Sequence, residues 1–306
     1  MSVLSAPYFH DEAAAFGQLE ATLWPQGPVC PKCGGMDRIT VVKGGRAGLR
    51  RCGPCKRQFT VTVGTVFESS HVKLHLWLQA VYLMCSSKKG ISSHQLMRVL
   101  GVTYKTAWFM THRIREAMAS GAGLPLMGGD AAVVEGDETF IGQKADVPKQ
   151  RGYAHKHAVL TLVELGKGSR SFHVDGTKAS DLLPIIKANV HPDTYIMTDE
   201  AGQYAGLAKH FTGHEFTRHG QGEYVSKDRP DVHSNTVEGF YSVFKRGMKG
   251  VYQHCSERHL HRYVAEFDFR YSNRVKLGVH DAQRTVTALQ GIVGKRLTYR
   301  DSSVWQ

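Results

Sequence analysis

Four cysteines, Cys30, Cys33, Cys52 and Cys55, stand as two C-x2-C pairs separated by eighteen residues. Each pair can close a tight knuckle with both thiolates facing one ion, and the chain between them is long enough for a β-hairpin that brings the knuckles together. Four sulfur ligands leave no position for a substrate, so the zinc they imply is structural. Redox dithiols are the other chemistry such pairs support. Two matched knuckles, and an N-terminus (MSVLSAPYFHDEAAAF) without a basic segment leading into an apolar core, argue for zinc in a reducing cytoplasm. Gly34, Gly35 and Gly53 stand where knuckle turns call for positive φ. The two remaining cysteines, Cys85 and Cys255, sit in apolar helical patterns and read as small buried hydrophobes.

A second group of residues is acidic. Glu135, Asp137 and Glu138 fall in VVEGDETFIG, a strand-like run expected to be half buried; Asp199 and Glu200 follow the strand-like TYIMT. Burying acid without a partner is costly, so a cation is implied. In HSNTVEGFYSVFKRG, Asn235 and Glu238 are three apart and share one helix face, with Lys245 two turns further on. Acids at two strand ends and one on a helix can hold two divalent metals, which together activate an attacking hydroxyl and stabilise the leaving oxygen of a phosphodiester displacement.

The elements that must position these residues follow from periodicity. Residues 11–24 read as a short helix ended by Pro25, and a helical pattern runs from Lys73 to about Ser120 with breaks at Gly90 and Gly101. The Gly-rich stretch from Gly121 to Asp130 reads as a linker. Beyond it come three consecutive strands (VVEGDETFIG, HAVLTLVEL, RSFHVDG), a helix over Thr177–Val190 capped by Thr177, the strand TYIMT, and a helix over Gln203–Phe211. A basic loop, RHGQGEYVSKDRPDVHSN, precedes renewed helical periodicity from Thr236 to about Asn273. This β-β-β-α-β-α order matches the ribonuclease H-like fold, in which the first and fourth strands are neighbours and would bring Asp137 and Asp199 together.

Within the first helical region, ISSHQLMRVLGVTYKTAWFMTHRIREAM reads as a helix-turn-helix with its turn at Gly101 and Val102. The second helix would present Thr103, Tyr104, Lys105 and Thr106, and one turn on His112 and Arg113, to a DNA groove. Lys43, Arg46, Arg50, Arg51, Lys56 and Arg57 would give the cysteine module a basic face. The whole chain of 306 residues carries 39 Lys and Arg against 27 Asp and Glu, a net charge of +12 that favours a polyanionic partner. Its apolar fraction of 42% is ordinary for a globular protein, and its length suffices to bury a hydrophobic core, which excludes a disordered tail protein. No apolar run reaches the roughly 20 residues of a membrane helix.

CPKCGG, CGPCKRQFTVTVGTVFESS, VEGDETFIGQK, TDEAGQY, HSNTVEGFYSVFKRGMKGVY and EFDFRYSNR occur in one order over nearly the whole chain. In this the sequence resembles the DDE-superfamily insertion-sequence transposases with an N-terminal zinc ribbon, the group related to ISXO-type bacterial elements. The resemblance implies an α/β chain: an N-terminal helix (1–28), a zinc ribbon (29–70), a helix-turn-helix-like region (71–120), a ribonuclease H-like catalytic domain (130–275) and a C-terminal tail (276–306). It implies a bacterial, cytoplasmic and nucleoid-associated enzyme that cleaves double-stranded DNA at element ends and transfers the strand to target DNA. The first two catalytic acids fall on Asp137 and Asp199. The third is Asn235 or Glu238, since relatives use either residue type. Two Mg²⁺ ions, replaceable by Mn²⁺, would bind these residues, and Lys245, Arg246 and Lys249 would contact DNA. Joining two DNA ends implies a homodimer or a larger synaptic complex. Two other functions fit the same residues: a nuclease of this fold that cuts without joining, and a zinc-ribbon transcription regulator without catalysis.

Overall fold

The computed structural model describes residues 2–121, 123–217 and 233–298. Most of the basic loop expected over residues 218–235 therefore lies outside the described residues. The chain divides into two compact units, one built from residues 1–119 with 279–306, the other from 120–278.

In the first unit, helix α1 (Glu12–Leu23) starts where the Asp11 carboxylate accepts the Ala14 N–H at 2.7 Å. Three short antiparallel strands, β1 (Ile39–Val41), β2 (Arg50–Cys52) and β3 (Gln58–Phe59), form the ribbon. Helices α2 (Leu74–Ser86), α3 (Ser93–Leu100) and α4 (Tyr104–Met118) follow. The α3–α4 turn is written in its caps: Ser92 accepts the Gln95 N–H, Gly101 closes α3 at φ 65°, and Thr103 accepts the Thr106 N–H. The segment expected to be a tail carries helix α8 (Asp281–Gln290). Its Arg284 donates to the Cys85 carbonyl on α2 at 2.8 Å, and Gly294 N–H donates to the Gly64 carbonyl. Leu289, Ile292 and Leu297 are buried, so this segment completes the core of the first unit.

The second unit is a five-stranded sheet in the order β6-β5-β4-β7-β8, formed by β4 (Val133–Ile141), β5 (His157–Glu164), β6 (Ser169–Val174), β7 (Tyr195–Asp199) and β8 (Gly213–Thr217). β4, β5 and β6 pair antiparallel, while β7 runs parallel to both β4 and β8. This is the ribonuclease H-like order. Even-numbered residues of β4 and β5 pack with Leu182 and Ile186 of α5 (Ala179–Asn189) on one face. Odd-numbered ones pack on the other with Val237, Phe240 and Phe244 of α6 (Asn235–Gly247) and with Leu260, Val264 and Phe267 of α7 (Glu257–Ser272). β5 is buried along its length, which explains its nearly unbroken apolar run.

Three local expectations are corrected. α5 begins one residue later than a Thr177 cap implies: the Asp181 carboxylate accepts the Lys178 N–H at 3.0 Å and sets the first turn. Gln203–Phe211 contains two single 3-10 turns, Gly202–Tyr204 and Leu207–Lys209, with Gly206 between them in place of one helix. Cys255 is half-buried in the connector before α7 and lies in no helix, whereas Cys85 is fully buried in α2.

Candidate active site and zinc ribbon

The parallel register of β4 and β7 decides the geometry of the acids. Glu135 is paired with Met197, and both strands continue by two residues to Asp137 and Asp199. Aligned residues of parallel strands point to the same side, and odd positions of β4 face α6. Asp137 and Asp199 therefore leave the sheet on the face covered by the helix that carries Glu238. Burial pushes the Asp137 carboxyl up to about 8, and the charges of Asp199, Glu138 and Glu238 push in the same direction. The N–H of Glu138, donated to Asp137 Oδ1 at 2.7 Å, opposes them.

Other side chains hold this arrangement. Glu135, 0% exposed, accepts the backbone N–H of Val237 in the first turn of α6 at 2.7 Å and lies 2.9 Å from His233 Nδ1. No side chain of the Ser234 cap serves that helix end, so a carboxylate from the strand performs the capping role. Further along α6, Tyr241 donates its hydroxyl to the Asp137 carbonyl and also reaches the Val159 carbonyl at 3.3 Å. Glu138 points to the opposite sheet face, where Gln203 donates to it at 3.0 Å and Tyr204 donates its hydroxyl. Glu138 is thus a half-buried acceptor with its own protein partners. Sequence reading missed the tie between Glu135 and α6, although strict alternation already put Glu135 on the face of Asp137.

Asn235 opens α6 and is exposed, Glu238 is half-buried one turn later, and Lys245 extends over the Tyr241 ring with Nζ 5.8 Å from its centroid. Lys245 and Lys249 line one cleft with Phe140, Tyr153 and Lys156. Arg246 and Lys249 are exposed, and the Arg246 guanidinium folds back on Ser242. The donor set of Asp137, Asp199 and Glu238 is all hard oxygen, and the charges of Asp199 and Glu238 both oppose ionisation of Asp137, the combination that a Mg²⁺-class ion relieves.

In the ribbon the four sulfurs lie within 4.8 Å of one another, with Cys30 and Cys55 3.7 Å apart and Cys33 and Cys52 3.6 Å apart. A zinc tetrahedron with bonds of about 2.3 Å has edges of about 3.8 Å, so the cysteines fit the ion closely. Burial opposes ionisation of Cys30, but the N–H groups of Lys32 and Cys33 in its knuckle outweigh it and bring the thiol to about 7. Gly34 takes φ 72° after Cys33, and Lys56 takes φ 60° at the matching place after Cys55. Gly53 is needed for a different reason than expected: a Cβ there would stand 2.6 Å from the Arg38 Cβ. Arg50 is drawn away from the basic face by a two-pronged contact to Glu20 at 2.9 and 2.5 Å.

Among the residues expected to meet DNA from α4, Thr103, Tyr104 and Lys105 are exposed. Arg113 is only 6% exposed; its Nε donates to the Leu297 carbonyl at 3.0 Å and its Nη1 to the Glu68 carbonyl at 3.2 Å. His112 is 1% exposed. The groove-facing expectation for these two is corrected: both lie on the side of α4 that packs into the unit's own core.

Residues 126–272 match the ISXO2-like transposase domain, and residues 10–58 match the transposase zinc-ribbon domain. Over 284 residues the chain is 31% identical to a protein of Halobacterium salinarum described as an uncharacterized protein in transposable element ISH50, covering 86% of this chain and 91% of that one. The chain belongs to the ISXO2-like transposase family. A solved structure, a chain of the simian T-cell lymphotropic virus intasome in complex with PP2A regulatory subunit B56 gamma, is similar at 15% identity with a TM-score of 0.27. The match covers 57% of this chain and 63% of that chain.

The ISXO2-like domain contains every acid of the site together with Asn235, Lys245, Arg246 and Lys249, and the zinc-ribbon match spans all four cysteines. The transposase thus pairs a structural zinc module with a DDE domain. No described helix is long and apolar enough to cross a membrane.

Proposed function

We propose that this transposase hydrolyses DNA at the ends of its element in a Mg²⁺-dependent reaction and joins the freed 3′-hydroxyl to target DNA. The observation that carries the reading is that the parallel register of β4 and β7 turns Asp137 and Asp199 to the sheet face covered by α6, the helix of Glu238, with the charges of Asp199 and Glu238 both acting on Asp137. Water attacks a phosphorus at the element end, the bond to the 3′-oxygen breaks, and that oxygen leaves as a hydroxyl. The same hydroxyl then attacks a target phosphodiester and displaces the target's own 3′-oxygen, exchanging one phosphate ester bond for another. Asp137, Asp199 and Glu238 are the ion ligands, and Asn235 completes the set from the same helix face. Bound there, divalent ions lower the pKa of the attacking hydroxyl and neutralise charge on the leaving oxygen.

Lys245 holds the DNA phosphate next to the acids, with Arg246 and Lys249 beside it. Lys105 and the exposed basic residues of the ribbon, Arg51, Lys56 and Arg57, bind phosphates of double-stranded DNA. Because the reaction joins two ends, the working form is a dimer or a larger synaptic complex.

The test is a cleavage and strand-transfer assay on labelled element ends with Mg²⁺, comparing the native chain with Asp137→Ala. The variant should lose both products while retaining DNA binding. Full activity in the variant would refute the assignment. Cut but unjoined ends from the native chain would indicate a nuclease, and Mg²⁺-indifferent binding without cleavage a regulator.

A further inference from the structure

His157 opens β5, and its side chain leaves the sheet on the same face as Val159 two residues on. Val159 is paired with His173 of β6, so both imidazoles lie on the face covered by α6 and α7. Glu257, the first residue of α7, meets them there. Its Oε1 is 3.6 Å from His157 Nδ1 and 3.9 Å from His173 Nε2, and one ligand atom from each of the three residues falls within 4.8 Å of the others. The two rings meet edge to face with centroids 5.4 Å apart.

Hydrogen bonding does not account for this cluster. His157 is 4% exposed, and its buried Nδ1 has no hydrogen-bond partner among the described residues, although it is directed at Glu257. Both nitrogen–oxygen separations exceed the roughly 3.2 Å limit of a good hydrogen bond. They approach the spacing of donors sharing one ion, since metal bonds of about 2.0–2.2 Å at tetrahedral angles put ligand atoms about 3.4 Å apart. A buried, unpaired imidazole nitrogen facing a second imidazole and a carboxylate is the donor set of a borderline transition metal, whereas Mg²⁺ prefers oxygen.

We propose that His157, His173 and Glu257 form a further metal site in this chain, distinct from the ribbon and from the acids of the DDE domain, that takes Zn²⁺ or a similar divalent transition-metal ion. Three protein ligands leave a fourth position for water. Burial and the neighbouring His157 hold His173 below the usual imidazole range, and Lys144 acts in the same direction against Glu257 and Asp175. The ion ties the first turn of α7 to β5 and β6. His157 also lines the cleft that holds Lys245 and Lys249, so occupancy fixes one wall of that cleft.

The full chain and the variants Glu257→Gln and His173→Gln should be equilibrated with micromolar Zn²⁺ and excess Mg²⁺, freed of loosely bound ions, and their zinc counted by elemental analysis. The native chain should retain one zinc ion more than either variant. In parallel Co²⁺-loaded samples, an unchanged thiolate-to-cobalt band would report an intact ribbon in all three. Equal zinc in the native chain and either variant would overturn the site, as would loss of the cobalt–thiolate band together with the zinc.

Discussion

The carboxylate of Glu135 accepts the Val237 N–H at 2.7 Å, tying the strand that bears Asp137 to the first turn of the helix that bears Glu238. A buried acceptor that serves a helix end has no water to replace it. Glu135→Ala should cost about 1–3 kcal/mol of folding stability. It should also lower DNA cleavage although Asp137, Asp199 and Glu238 are all retained. Denaturant unfolding and end-cleavage rates measure both effects; native values for the variant would show that the tie is dispensable.

Glu238 acts electrostatically on Asp137, whereas no charge can reach it from the exposed Asn235. Glu238→Gln should therefore reduce Mg²⁺-dependent cleavage more than Asn235→Ala does. Cleavage rates over a Mg²⁺ titration decide the order, and a larger loss at Asn235 would make the amide the third member of the set.

Without divalent ions at the acids, burial holds the Asp137 carboxyl up to about 8 in the folded chain, against about 3.9 for an ordinary aspartate. The folded protein then holds a proton that the unfolded chain releases between those values. Its stabilising contribution is complete below about pH 4 and is lost as the pH rises through about 8, on the order of a few kcal/mol. Burial raises Glu135 and Glu138 as well, which adds in the same direction. In Mg²⁺-free buffer with the ribbon zinc retained, the melting temperature should fall between about pH 5 and pH 8, and Asp137→Asn should flatten that fall. A native profile identical to that of Asp137→Asn would mean the carboxyl titrates normally.

Arg113 and Lys105 lie on one helix and should respond differently. Arg113→Ala removes two donors to main-chain carbonyls and should destabilise the first unit by about 1–3 kcal/mol. Lys105→Ala should lower the melting temperature less than Arg113→Ala does and reduce the salt dependence of DNA affinity by about one unit of log–log slope. Thermal melts and binding isotherms at several salt concentrations separate the two roles.

Removing zinc, by chelation or by Cys52→Ser, should unfold the ribbon, because its core outside the cysteines is only Phe59 with the partly buried Trp24, Ile39 and Val63. Hydrogen exchange should show protection lost across β1 to β3 and kept in β4 and β5. Retained protection in the ribbon after zinc removal would contradict a metal-dependent fold.

The features readable from the residues alone were those set by neighbours in the chain. A C-x2-C knuckle is closed by its own N–H groups, alternation of apolar and polar residues puts Glu135 and Asp137 on one strand face, and Ser92, Gly101 and Thr103 mark helix ends wherever the helices lie. The order of the first four sheet strands, β4 to β7, was legible for the same reason, whereas the edge strand β8 was not. Other features depended on contacts between distant segments. Glu135 meets Val237 across 102 positions and Arg113 meets Leu297 across 184, and no local pattern predicts either contact. Tertiary packing alone turned Arg113 inward, folded the expected tail into the core of the first unit, and set the charge of Glu238 against Asp137, because each depends on which surfaces meet once the helices have docked.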